Sequence, residues 1–390
     1  MIYLDNNATT QLHPEVLEAM MPFLTEAYAN PSSGYGPSRQ VKKAIDNARE
    51  QLAALLGADT EEIIFTSGGT EADNTAIASS IACLPERKHL VGSTVEHPAV
   101  LQYFEMLERE HGYETTLVPV DGEGLLDLDQ LDAAIRPNET ALVSLMWANN
   151  ETGVIFPIAE IAERLSDKGV FLHTDAVQAV GKTPIDVKEA GIHFLALSGH
   201  KFHGPKGVGA LYASSNVRLK PRVIGGAQES NRRGGTENVA SIVGLGKAAE
   251  LMRLKLESEG HLKLRDERDY FEKTLQTRLS GVRINGHPDK RLTNTANLAF
   301  EGIEAQALLI MLDEESICAS AGSACHTGSL HASGILTAMG FDRDRAIGTG
   351  RFSISSFTTR EDLDRAIDVI VKCAEKLRTI RPTSTVVQHS

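Results

Sequence analysis

Lys201 stands where a side chain can do covalent chemistry. It lies in Leu197-Ser198-Gly199-His200-Lys201-Phe202 and follows the apolar run His193–Leu197, which reads as a buried strand. Desolvation at a strand end disfavours the ammonium form, so the amine can condense with an aldehyde. A second reactive group is Cys325, in Ser320-Ala321-Gly322-Ser323-Ala324-Cys325-His326. Its small neighbours suggest an exposed loop, and His326 can favour the thiolate. Asp175 closes the run Phe171–Thr174, with Gln178 three residues on. A carboxylate there can keep a pyridine nitrogen protonated and electron-withdrawing, and the amide can reach a phenolic oxygen. His97, in Thr94-Val95-Glu96-His97-Pro98, can stack on a planar ring and move protons near neutral pH. Gly69 and Thr70, in Ser67-Gly68-Gly69-Thr70 ahead of a helix, offer backbone N–H groups, a hydroxyl and a helix N-terminus to an anion. Arg351 can clamp an α-carboxylate bidentately, and Asn150 offers an amide to ring or substrate. An aldehyde-binding amine, a ring-nitrogen carboxylate and an anion cradle are together what pyridoxal 5′-phosphate (PLP) requires.

Each part has a plainer reading when taken alone. Most lysines are solvated surface residues. A strand-to-helix turn with a capping threonine accounts for Ser67–Thr70, and an N-cap accounts for Asp175. A structural loop histidine accounts for His97, a surface arginine for Arg351, and an oxidisable loop thiol for Cys325. Cys83 and Cys373 read as buried structural cysteines from their apolar neighbours. The convergence of so many parts on one cofactor favours the chemical reading.

The elements behind these residues alternate in type. Strand candidates are Glu62–Thr66, Lys88–Thr94, Thr115–Val120, Ala141–Trp147, Val170–Thr174, His193–Ser198 and Gly207–Ala213. Most are separated by enough chain for a crossover helix such as Ile158–Lys168, which predicts an α/β fold with a mainly parallel seven-stranded sheet between helices. The link from Ser198 to Gly207 is too short for a crossover, so the last strand is expected to be antiparallel. Val41, Ile45, Ala48, Leu52 and Leu55 mark an amphipathic helix over 39–57, with Ser38 as N-cap. A charged helical stretch, Leu251–Ser280, leads into a smaller α+β region. The spacing predicts a large domain over 15–255. A small domain formed by 1–14 and 256–390 would carry the cysteine loop, at about 320–335.

Composition bounds the function classes. The 390 residues suggest two domains. A net charge of −13 argues against general nucleic-acid binding. No long uncharged apolar window spans a membrane, and the N-terminal sequence carries no secretory pattern. The four cysteines form neither a Cys-x-x-Cys pair nor a disulfide framework, which fits a reducing cytoplasm.

Taken together the segments resemble the cysteine desulfurases of the NifS/IscS family. The resemblance runs from Tyr3-Leu4-Asp5-Asn6-Asn7-Ala8-Thr9-Thr10 to Arg351-Phe352-Ser353 and Phe357-Thr358-Thr359. The combination Ser-Gly-His-Lys, Thr-Asp-Ala-Val-Gln and Gly-Ser-Ala-Cys carries it. Met146-Trp147-Ala148-Asn149-Asn150-Glu151-Thr152-Gly153 is similar to the nitrogen-fixation branch. The resemblance implies the type I PLP-enzyme fold. It implies that Lys201 carries the cofactor, Asp175 pairs the ring nitrogen, Gln178 the phenolic oxygen, and His97 stacks on the ring. Gly69, Thr70, Ser198 and His200 would surround the phosphate, and Thr236 would reach the phosphate of a neighbouring subunit, which implies a homodimer. Arg351 and Asn150 would hold the substrate carboxylate.

The implied activity is conversion of L-cysteine to L-alanine. Sulfur would pass to Cys325 as a persulfide and then to an iron–sulfur scaffold or other acceptor protein. Lys201, Cys325 and His97 would be the catalytic groups, with no metal. An acidic residue and a proline often follow the cysteine loop in the family, whereas His331-Ala332 stand here. The alternatives are a PLP-dependent aminotransferase, which would not need Cys325, a selenocysteine lyase, and a non-catalytic docking platform.

Overall fold

The computed structural model describes residues 1–321 and 332–380. Its strands in chain order are β1 (Ile2–Tyr3), β2 (Ile63–Thr66), β3 (His89–Ser93), β4 (Glu114–Val118), β5 (Thr140–Met146), β6 (Phe171–Asp175) and β7 (Phe194–Ser198). There follow β8 (Gly209–Ala213), β9 (Val282–Ile284), β10 (Thr295–Phe300), β11 (Ile317–Cys318), β12 (Ser320–Ala321) and β13 (Thr349–Ser353). The first four helices are α1 (Pro14–Thr25), α2 (Gly36–Leu56), α3 (Gly69–Cys83) and α4 (Pro98–His111).

Strands β2 to β8 build one seven-stranded sheet in the order β2-β8-β7-β6-β5-β3-β4. It is parallel except at β8, which runs against both β2 and β7. The short Ser198–Gly209 connection leaves no chain for a crossover, so reversal is the outcome the sequence predicts. Every residue of β5, β7 and β8 is buried, as expected of strands covered by helices on both faces. The C-terminal ends of the parallel strands gather on one side, where loops can build a ligand site.

A four-stranded antiparallel sheet, β12-β13-β10-β9, follows in the C-terminal part. Its apolar core, with Phe271, Phe300, Phe352 and Ile367, also takes in Leu4 from the N-terminal segment. A larger core lies between the seven-stranded sheet and the helices around it. β1 pairs in parallel with β11, so the first residues of the chain are tied to the C-terminal part.

Several expectations shift in detail. Helix α2 begins at Gly36, one turn before the expected start, because Pro37 suits the first helical turn. Ser38 is therefore inside the helix, and its hydroxyl is buried without a partner. The stretch Leu251–Ser280 is not one helix. It breaks between Val239–Glu257 and Leu262–Arg278, where Glu259 adopts φ 54° ahead of Gly260. Cys373 is buried, but Cys83 is only partly so, since it ends α3 rather than facing the core.

Close packing links β8 to the start of α3. A Cβ on Gly209 would meet the Leu197 carbonyl oxygen and would lie 2.7 Å from Gly68 Cα. Both neighbours are backbone and cannot swing away. Gly209→Ala should therefore cost about 1–3 kcal/mol in denaturant unfolding, and it should weaken binding at the loop Ser67–Thr70. Unchanged stability would show that this contact does not constrain the loop.

Candidate active site

A cavity of about 620 Å³ opens at the C-terminal ends of β5, β6 and β7. That volume suits a cofactor-sized ligand. Gly69, Thr70, His97, Asn150, Asp175, Gln178, Ser198, His200, Lys201 and Arg351 all line it. Ten expected site residues, far apart in sequence, therefore meet in one place. Thr236 does not join them: it is exposed and does not line the cavity of its own chain. Cys325 lies outside the described residues.

Lys201 follows β7 in a single 3-10 turn, Gly199–Lys201. Its amine donates to the main-chain carbonyls of Asn7 (2.7 Å) and Ala8 (2.9 Å). Asp175 ends β6, and one carboxylate oxygen accepts from the Val177 N–H at 2.9 Å. Burial raises the Asp175 pKa, while His97, the Val177 N–H and Lys201 favour the charged form. Two further carboxyls stand behind it. Glu96 is pushed up to about 8, first by burial; Ser93 and Met146 donate to it. Asp73 is pushed well up by burial and by the nearness of Asp175 and Glu96. His173, pulled down to about 3 by burial, is neutral beside Asp73. Of the three acids, Asp175 alone faces both Lys201 and His97, so it is the one that carries charge most readily.

His97 caps α4, with Pro98 as the first helical residue. Its Nδ1 accepts from the Ala99 N–H at 3.1 Å. That bond assigns the neutral ring's proton to Nε2. Burial lowers the His97 pKa, Asp175 raises it and Lys201 lowers it, with a net downward shift. His200, lowered to about 4 by burial and by Lys201, Lys206 and Lys182, is likewise neutral and bonds Thr9 Oγ1 at 3.1 Å. Gly69 opens α3, and a Cβ there would lie 2.6 Å from Val177. The glycine thus serves packing between the loop and β6 as well as open access to its N–H groups.

Arg351 sits on β13 with its side chain 4% exposed. Nη1 donates to the Asn150 carbonyl (3.0 Å) and Nη2 to Asp5 (2.7 Å), while Nε is buried and has no partner among the described residues. Arg351 also lines the cavity, where a guanidinium can receive a carboxylate. Asn150 contributes its main chain to this arrangement as well as lining the cavity.

Sequence reasoning missed the N-terminal segment. Asn7 accepts from Lys201 and Gln178 through its main-chain oxygen, and from Lys182 and Asn294 through Oδ1. Its amide donates to the Asn150 carbonyl and to Thr295. Asp5, Lys182, Glu96 and Glu151 were missed too. The polar run Asp5-Asn6-Asn7 was visible, but nothing in it says which strand end it meets. Lys182 was signalled only as a cation four residues after Gln178 in an apolar turn.

These residues fit PLP: a buried carboxylate that a ring cation would stabilise, an amine at the wall, and a helix N-terminus with Ser198 and His200 beside it.

The model of the aminotransferase class-V family matches residues 2–366. A cysteine desulfurase of Trichormus azollae is 50% identical over 381 residues, covering 98% of this chain and 94% of that protein. The cysteine desulfurase NifS of Azotobacter vinelandii is 48% identical over 382 residues, covering 98% and 94%. A solved NifS-like protein superposes with a TM-score of 0.89 at 32% identity, covering 96% of this chain and 99% of that one.

Glu96 supplies a test of the buried charge. An unfolded glutamate loses its proton near pH 4.5, whereas in the folded chain the proton stays until about pH 8. The folded state binds more protons across that window, so stability falls as pH rises through it and levels off above it. Glu96→Gln should remove that slope, worth on the order of 4 kcal/mol across the window. Urea unfolding at several pH values measures it. Equal slopes in both proteins would mean that Glu96 ionises normally.

Proposed function

The chain belongs to the aminotransferase class-V family, and on that premise we propose that it is a PLP-dependent cysteine desulfurase that converts L-cysteine to L-alanine. The observation that carries this reading is one cavity lined by Lys201, Asp175 and Arg351 together. That grouping suits a ring cofactor and an amino-acid carboxylate at once.

Bound PLP supplies an electron sink for charge developing at the substrate Cα. Asp175 holds the charge that stabilises the ring nitrogen, and Gln178 and His97 fix the ring's edge and face. Gly69, Thr70, Ser198 and His200 offer donors to the phosphate. Arg351 and Asn150 orient the carboxylate, which brings the Cα–H toward Lys201. The Lys201 amine takes that proton and is received by the Asn7 and Ala8 carbonyls. His97, neutral with its proton on Nε2, donates a hydrogen bond from that nitrogen to the substrate sulfur. The Cys325 thiolate attacks the substrate sulfur, and the S–S bond forms as the Cβ–S bond breaks. The electron pair remains on Cβ, which is then protonated, and the proton held by Lys201 returns to Cα. The products are a Cys325 persulfide and L-alanine. The persulfide sulfur passes to an acceptor protein for iron–sulfur cluster assembly. The likeness to NifS favours a nitrogen-fixation setting, and the cytoplasm is the compartment proposed.

Self-association belongs to the same reading. On α1, Val16 and Met20 face the core while Leu17, Met21 and Leu24 are exposed at helical spacing. A helix apolar on both sides needs a second partner. Thr236, exposed away from its own cavity, would then serve the other copy. The division at 15–255, with 1–14 and 256–390 as a smaller unit, is supported by an apolar core drawn wholly from 1–14 and 256–390.

Incubation with L-cysteine should give alanine and sulfide, with Cys325 modified by mass spectrometry. Cys325→Ala should keep the absorbance of bound cofactor and lose sulfur release by orders of magnitude. Normal alanine formation by that variant would overturn the nucleophile assignment. Lys201→Ala should abolish covalent cofactor attachment. Met21→Asp with Leu24→Asp should shift the protein to a monomer in light scattering, whereas an unchanged mass would move the interface elsewhere.

A further inference from the structure

We propose that Lys182 is a positioning residue that fixes the carboxamide of Gln178 with its nitrogen toward the Asn7 carbonyl that receives the Lys201 amine. The inference deepens the reading above and rests on Lys201 carrying the cofactor. Lys182 Nζ donates to Gln178 Oε1 at 2.6 Å and to Asn7 Oδ1 at 3.1 Å. Gln178 Nε2 in turn donates to the Asn7 main-chain oxygen at 2.9 Å, the same oxygen that receives Lys201 Nζ at 2.7 Å. Two amines, with the amides of Gln178 and Asn294, therefore converge on a single asparagine.

Asn7 cannot turn to suit them. Its side-chain amide donates to Thr295 Oγ1 at 2.9 Å and its main-chain N–H to Ser353 Oγ at 2.8 Å. With Asn7 fixed, the orientation left to choose is that of Gln178. A carboxamide presents an acceptor at one end and donors at the other, and the two ends differ little in shape. Lys182 acts here as a donor, so it selects the Gln178 oxygen. The nitrogen is then the end that meets Asn7, and it keeps a second hydrogen beyond the one given there. Without Lys182 the amide could reverse, setting an oxygen against the Asn7 oxygen.

The electrostatics agree with a donor that need not be charged. The bonded partners of Lys182 are amide oxygens. Burial first, then Lys201, Arg351 and Lys255, holds its pKa well below the usual lysine range. Lys201 is faced by Asp175, His97 and His200 as well as Lys182.

A double-mutant cycle on the PLP-loaded protein tests the inference. Lys182→Met keeps the bulk and removes the donors, and Gln178→Ala removes the carboxamide. Lys182→Met alone should raise the PLP dissociation constant about tenfold and shift the absorbance maximum of the bound cofactor. Gln178→Ala should do the same, and the double variant should be no worse than either. Additive losses, or an unchanged constant and spectrum in Lys182→Met, would overturn the inference. Thermal unfolding of each variant separates these results from misfolding. If the parent protein binds no PLP at Lys201, the functional reading fails first, before the variants are compared.

Discussion

An amine and a carboxylate enclosed in one cavity must each find partners, and most of the site follows from that demand. An unpaired buried charge costs several kcal/mol. Lys201 meets the demand with two main-chain carbonyls, which take its protons without adding charge. Asp175 meets it with one backbone N–H and with the nearby Lys201 and His97. The carbonyls come from residues 7 and 8, nearly two hundred positions upstream in sequence. The N-terminal segment is therefore part of the cavity wall.

The same segment joins the two sheets. β1 pairs with β11, Asn6 and Asn7 bond Ser353 on β13, and Thr10 bonds the His200 carbonyl after β7. Each bond ties a small-sheet element or a large-sheet strand end to the same eight or so residues. Arg351, held on β13, is thereby brought over the strand ends that carry Asp175 and Lys201. Hydrogen-bonding networks of this kind lock geometry because every member loses several bonds if one moves.

Much of this was legible in the sequence. Most of the seven strands announced themselves as apolar runs, because strands covered on both faces leave no polar alternation to obscure them, whereas the edge strand β4 is only partly buried. The reversal of β8 followed from connection length alone. Lys201, Asp175 and His97 were legible because each follows such a run, where a side chain emerges at the sheet edge. Asn7 and Lys182 were not, since their roles depend on which carbonyl each side chain meets across the fold. The break at Glu259 was hidden because a charged helical pattern continues on both sides of it. The early start of α2 was hidden because a proline can either end a helix or open one.

Asp5 answers a problem that the substrate arginine creates. Arg351 is almost wholly buried, and with no counter-charge it would weigh against folding whenever the carboxylate site held nothing. Asp5 pairs with Nη2 at 2.7 Å and also accepts from Ser320 at 2.8 Å, so its own position is secured from a neighbouring strand. A substrate carboxylate at Arg351 would then enter beside a pair that is already neutral. Its attraction is a directed hydrogen bond in a dry wall more than a long-range pull. Such a site favours an amino acid whose carboxylate is correctly placed over anions in general, and it gives up some affinity to do so.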